Sequence, residues 1–237
     1  MSNRDLSLAA RVEAVREQHD VAPVIEFDLI DIKERFDKNI ESIRGQFNVA
    51  DKLFSEGNVE ECENIWRSQI VFLESALDFY IHEISKYGMI NIFKKNWAKT
   101  EKYNNYLIPM KYVEDGIRNP QSQTWFLNYL NDRISTEVYL SANSMKDQLN
   151  LLGINFGPVM SRAFPKPNGD EASINEGKKV IKELFERRNQ IAHQADRHHN
   201  DATRNDITKE YVEQCIANVI SIVDSIQGIA LSKSSAE

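Results

Sequence analysis

Arg188, Asn189 and His193 stand together in the segment GKKVIKELFERRNQIAHQ, from Gly177 to Gln194. Their types are a fixed cation, an amide and an imidazole. That set can hold an anionic group and move a proton near neutral pH. The segment has helical periodicity. At about 100° per residue, with Ile181 at zero, Leu184 falls near −60°, Phe185 near +40° and Ala192 near +20°. Arg188 falls at about −20°, in the middle of this apolar stripe, where a core residue is expected. Asn189 at about +80° and His193 at about +120° lie one turn apart on the flank, within reach of each other. A guanidinium on an apolar stripe costs several kcal/mol unless it is paired or the stripe opens onto a polar cleft. Two readings follow. Either Arg188 bonds a carboxylate on a neighbouring helix and His193 merely complements the helix dipole, or the three groups edge a working cleft.

The rest of the chain supplies helices to position that edge. The 237 residues include only 9 Gly and 6 Pro, about half the usual share, which disfavours turn-rich sandwiches, barrels and phosphate-cradling α/β folds. Apolar residues make up 41%, enough for a buried core. Residues 5–19 read as a short amphipathic segment halted near Pro23. Phe36, Ile40, Ile43, Phe47, Ala50 and Phe54 form a second helical seam that Gly57 ends. Asn58 and Glu61 signal the start of a third helix, whose stripe is Trp66, Ile70, Leu73, Leu77, Tyr80 and Ile84. Val71, Phe72 and Phe79 make its opposite face apolar as well, as in a central helix or one that meets a partner chain. Asn119-Pro120 is read as restarting a helix that runs to about Gly153, and Ser173 with Glu176 as a capping box opening the Arg188 helix. The last seam is Val212, Ile216, Val219, Val223, Ile226 and Ala230, with residues 232–237 read as a disordered tail.

No run of about 18 uncharged apolar residues is present, so no membrane span is expected. The first twenty residues are charged throughout and lack a signal-like apolar core. Cys62 and Cys215 are far apart and lack metal-ligand spacing, which fits free thiols in a cytoplasmic protein. With a net charge of −7, any contact with nucleic acid must come from a local basic patch. The fold class expected is an all-α bundle.

The string Arg188-Asn189-Gln190-Ile191-Ala192-His193 resembles the Arg-(four to six residues)-His motif of HEPN domains, and a polar residue directly after the Arg is typical of members that act as ribonucleases. An apolar helix leads into Arg-Asn, a polar loop follows, and Ile207-Thr208-Lys209-Glu210 starts a closing apolar helix. The chain is most similar to the RiboL-PSP-HEPN type associated with bacterial defence and toxin systems. The resemblance spans roughly 60–231 without accounting for residues 93–121, and suggests an N-terminal helical extension over 1–57, an up-and-down HEPN-like bundle over 58–231, and the tail. It implies metal-independent endoribonuclease activity, in which a ribose 2′-hydroxyl attacks the adjacent phosphorus. His193 would transfer protons, Arg188 would stabilise charge on the phosphorane, and Asn189 would orient the imidazole or a phosphate oxygen. It implies no cofactor, RNA as the substrate, a homodimer with both motifs lining one cleft, and a cognate antitoxin or defence-system partner.

Other features bear on this reading. Residues 93–112 carry Lys94, Lys95, Lys99, Lys102 and Lys111 against Glu101, interleaved with Phe93, Trp97, Tyr103, Tyr106 and Tyr112. Cations and rings so mixed suit single-stranded RNA, or else the rings pack under a loop and the lysines are solvated. Residues 187–204 hold four arginines, two aspartates and three histidines, and could floor or gate a cleft. Asp78, four residues before His82, either pairs with Arg188, as an acidic residue on this helix often does in the family, or forms a surface pair. Adjacent His198 and His199 lack further ligands at metal spacing. Glu60, Glu61 and Glu63 suit a helix start. Two alternatives stand beside the ribonuclease: a non-catalytic HEPN module that binds RNA or nucleotide or acts as a scaffold, and an acidic helical partner protein that touches no nucleic acid.

Overall fold

The computed structural model describes residues 26–120, 124–198 and 200–235. The segment 5–19, with its stop at Pro23, therefore lies outside the described residues, as do His199 and the last two positions. Among the described residues there are helices and no strand: α1 (Leu29–Ser55), α2 (Val59–Phe93), α3 (Glu101–Asn104), α4 (Met110–Arg118), α5 (Thr124–Ile134), α6 (Ala142–Leu151), α7 (Phe156–Ala163), α8 (Asp170–Gln194) and α9 (Lys209–Ser235). The all-α expectation holds.

Helix α1 starts where the Asp28 carboxylate accepts the Ile30 and Asp31 backbone N–H groups, both at 2.8 Å. Its seam buries Leu29, Ile32, Phe36, Ile40, Ile43, Phe47 and Ala50 against α2 and α9. Phe54, expected to continue that seam, is exposed, because it lies in the last turn, beyond the reach of the packed face. Gly57 turns the chain at φ 84°. Helix α2 is the central element, touching α1, α5, α6, α8 and α9. The expected stripe from Ile70 to Ile84 is buried, and Gly88 lets Trp97 and Leu152 approach its backbone. Helix α1 thus shares one core with the remainder, although the sequence placed it in an extension.

The middle of the chain departs from expectation. Pro120 sits in a turn after α4 has ended at Arg118 and is not the first residue of a helix, and α5 is described from Thr124. The stretch to Gly153 is two helices rather than one, because Ser141 and Ser144 form a reciprocal capping box that starts α6 anew. Helix α8 begins at Asp170, three residues before Ser173. The Ser173 hydroxyl is turned back to Gly169 O and Lys166 N, and Glu176 pairs with Lys166 Nζ at 3.6 Å, so neither caps this helix. Residues 232–235, read as tail, continue α9: Ser232 and Ser235 bond back to Gly228 O and Leu231 O, and Trp97 Nε1 donates to Ser234. By length and hydropathy α9 could cross a bilayer, but its apolar stripe from Val212 to Ala230 lies in the core.

Candidate functional site

Helix α8 runs beside α2, packs also on α7, and carries Ile181 and Leu184 into the core. One turn past Leu184 on the same face comes Arg188, at the edge where the core gives way to solvent. Its side chain is 28% exposed. The partner that its position demanded is Glu74 of α2, whose Oε2 is 2.6 Å from Nε. It is not Asp78. That carboxylate, one turn further along α2, accepts the Tyr139 N–H at 3.3 Å and lies 3.6 Å from His82 Nε2. His82 Nε2 also lies 3.1 Å from Glu137 O, so the Asp78–His82 pair ties the segment before α6 to α2.

The Glu74–Arg188 pair is incompletely satisfied. Glu74 is 1% exposed, and neither of its carboxylate oxygens accepts a hydrogen bond. The Nε–H of Arg188 does not point at Oε2, so the contact is a charge pairing without a hydrogen bond. Burial therefore dominates and pushes the Glu74 pKa up to about 7, with Asp78 adding to the rise and Arg188 opposing it. Arg188 Nη1 donates to Asn189 Oδ1 at 3.0 Å. Asn189 therefore orients the guanidinium, and its oxygen is not turned to the imidazole.

His193 is in the last turn of α8, exposed, and hydrogen-bonded to no described residue. It lies five positions after Arg188, about 140° around the helix and about 7.5 Å along it. The fold brings Arg188 and Asn189 together and leaves His193 facing solvent on another side.

Periodicity did not reveal the cluster beside this edge. Arg187 Nη1 and Nη2 lie 2.8 and 2.9 Å from the Asp196 carboxylate, and Arg67 Nε lies 2.7 Å from it. Asn205 donates to the same group, while Arg67 also reaches Glu63 and Asn205 O. Asp196 has 0% exposure and a left-handed backbone at φ 57°. Its hydrogen bonds hold that conformation and anchor the loop between α8 and α9 onto α2. The one available signal was an Asp immediately past the helix end, close to two arginines.

Beyond that anchor, a cleft of about 340 Å³ continues the α2–α8 seam, walled by Val71, Phe72, Ile191, Ala195 and Arg204. Phe72 is 52% exposed and also lines a cleft of about 330 Å³ between α1 and α2, with Phe79 beside it. The rings of the 93–112 segment are mostly engaged elsewhere. Trp97 is buried, Phe93 packs on Trp125 and Phe126, and Tyr106 and Tyr112 pack on Tyr129. Lys94 and Lys102 pair with Glu26 and Asp147. Lys102, Tyr106, Arg133 and Tyr139 border a separate open cleft of about 700 Å³. No group of three or more His, Cys, Asp or Glu at metal-binding geometry occurs among the described residues. Burial pushes the Cys215 thiol up to about 11, which disfavours a thiolate nucleophile.

An all-helical domain with an Arg-x4-His helix at a solvent edge is the arrangement of the HEPN class. The sequence model of one HEPN family, RiboL-PSP-HEPN, matches residues 31–231. The chain belongs to the RiboL-PSP-HEPN family. The match takes in most of α1 as well as the 93–121 stretch, both beyond the resemblance legible in the motif. Neither the curated proteins nor the solved structures provide a match.

Proposed function

We propose that this protein is an endoribonuclease that cleaves RNA without a metal ion, at a site assembled from two copies, and that it serves as a toxin or defence effector in the cytoplasm. The observation that carries the reading is the separation of the two motif side chains. Arg188 is turned to the α2 edge, while His193 is exposed and hydrogen-bonded to no described residue. A second copy packed across this edge supplies the imidazole that a single chain holds apart from its guanidinium. The exposed Phe72 face next to the edge, continuous with Val71 and Ile191, gives that second copy an apolar surface to cover.

In the cleft so formed, an imidazole accepts the proton of the ribose 2′-hydroxyl as its oxygen bonds to phosphorus. The bond to the 5′-oxygen breaks, and a second imidazole, from the other copy, protonates that leaving oxygen. The products are a 2′,3′-cyclic phosphate and a 5′-hydroxyl end. Arg188 neutralises the charge that builds on the non-bridging oxygens, where a planar fork of donors fits phosphate.

The test is incubation of labelled single-stranded RNA with the protein in EDTA, beside Arg188→Ala and His193→Ala. Cleavage that survives chelation and disappears in both variants supports the reading. Mixing the two inactive variants adds a sharper criterion: a mixed dimer regains one intact pairing and partial activity. One observation favours a non-catalytic RNA-binding or scaffold role instead, namely that Arg188 already engages Glu74 and Asn189. Binding without cleavage would establish that role.

A further inference from the structure

The buried carboxylate behind Arg188 is the group in the fold with least to hold it. Glu74 sits on the central helix with both oxygens shielded from water and unbonded to any hydrogen. Its neighbours in the core are apolar, with Leu73 and Leu77 on the same helix fully or nearly fully buried. The charges that act on it are Arg188 from α8 and Asp78 from α2 itself; among the described residues, none comes from α1, α5, α6 or α9. An ionised carboxylate placed so is stabilised by one guanidinium alone. A protonated one loses that attraction and removes the electrostatic reason for Arg188 to lie against α2.

We propose that Glu74 is a positioning residue that clamps Arg188 only in its ionised form, so that one buried proton decides whether the guanidinium is fixed against α2 or free to swing. The inference deepens the ribonuclease reading, on which its functional meaning rests. Three features support it together. The ion pair is made through Nε, so a clamped Arg188 keeps its outer nitrogens for Asn189 and for a phosphate. The pairing has no aligned hydrogen bond to compensate for lost charge. Burial has brought the proton affinity of Glu74 to about 7, so both forms are populated near neutrality. Above that pH the guanidinium is held; below it, Arg188 is tethered by Asn189 alone.

The experiment follows the Arg188 Nε–Hε signal and the Glu74 side-chain carboxyl by NMR in the full chain, labelled at arginine and glutamate, from pH 5.5 to 8.5. Glu74→Gln and Arg188→Ala identify the two signals. The expected result is one shared midpoint near pH 7 in the parent, an Arg188 signal that no longer titrates in Glu74→Gln, and a titration that returns with a shifted midpoint in Glu74→Asp. An Arg188 signal that stays flat in the parent, or titrates unchanged in Glu74→Gln, overturns the clamp. The parent measurement needs no variant to fold. Cleavage of labelled RNA is assayed separately over the same pH range. A shared titration without any cleavage leaves the clamp standing and removes the ribonuclease reading, whereas cleavage with a flat Arg188 signal does the reverse.

Discussion

Arg187 and Arg188 leave α8 about 100° apart and meet two acids of opposite character. Arg187 enters a saturated network: both oxygens of Asp196 are bonded, by Arg67, Arg187 and Asn205, and the spare guanidinium nitrogens reach Glu63 and backbone carbonyls. Arg188 meets Glu74 through one contact that is not a hydrogen bond, and neither carboxylate oxygen is bonded otherwise. Buried charges in a purely architectural role acquire full sets of partners, because each missing bond costs free energy. A pair left short of partners at the solvent edge of the core is the arrangement expected where a ligand completes the set. The contrast assigns the first arginine to holding the α8–α9 loop and the second to the candidate site.

The largest effect belongs to the saturated side. Asp196→Ala leaves Arg67 and Arg187 buried without a counter-charge and costs about 3–5 kcal/mol of stability, read from denaturant unfolding. An unchanged midpoint would dissolve the contrast. On the other side the sign reverses. Glu74 binds its proton more tightly folded than unfolded, with its value raised from 4.5 to about 7. Its contribution to stability is therefore retained at low pH and lost as pH climbs through that window, by about 3 kcal/mol in all. The difference in unfolding free energy between Glu74→Gln and the parent should grow with pH from about 4.5 and level off above about 7; a difference that stays constant would contradict it.

Arg188→Ala separates stability from activity. RNA cleavage should fall about a hundredfold or more, equivalent to about 2.7 kcal/mol. Stability near pH 7 should drop by no more than about 1 kcal/mol, since Glu74 can take up a proton. The smallest change in fold stability is expected from Phe72→Ser, within about 0.5 kcal/mol because the ring is half exposed. Sedimentation should nevertheless show that variant shifted towards monomer, with cleavage reduced in parallel. A dimer indifferent to Phe72 would place the partner on another face.

Much of this molecule is visible in local pattern. The seams of α1, α2 and α9 repeat every three or four residues, and those residues are buried apart from the exposed Phe54 and the half-buried Trp66. The same rule marked Arg188 as a cation on an apolar stripe in need of a partner. It could not name Glu74 over Asp78, which lie one turn apart on one helix. That choice depends on how α2 slides along α8, and the slide is set by core side chains from several helices at once. The break between α5 and α6 escapes the periodicity for a related reason: it is marked only by the Ser141–Ser144 capping pair that starts α6.

The chain's own order of residues was enough to determine an all-helical architecture and the helix that bears the Arg-x4-His motif, because backbone periodicity and capping act over a few neighbours. Tertiary structure alone decided that Asp196 gathers Arg67 from 129 positions away and that Glu74 stays buried with bare oxygens. Those outcomes depend on the register between packed helices, and register is a property of the whole core rather than of any one segment.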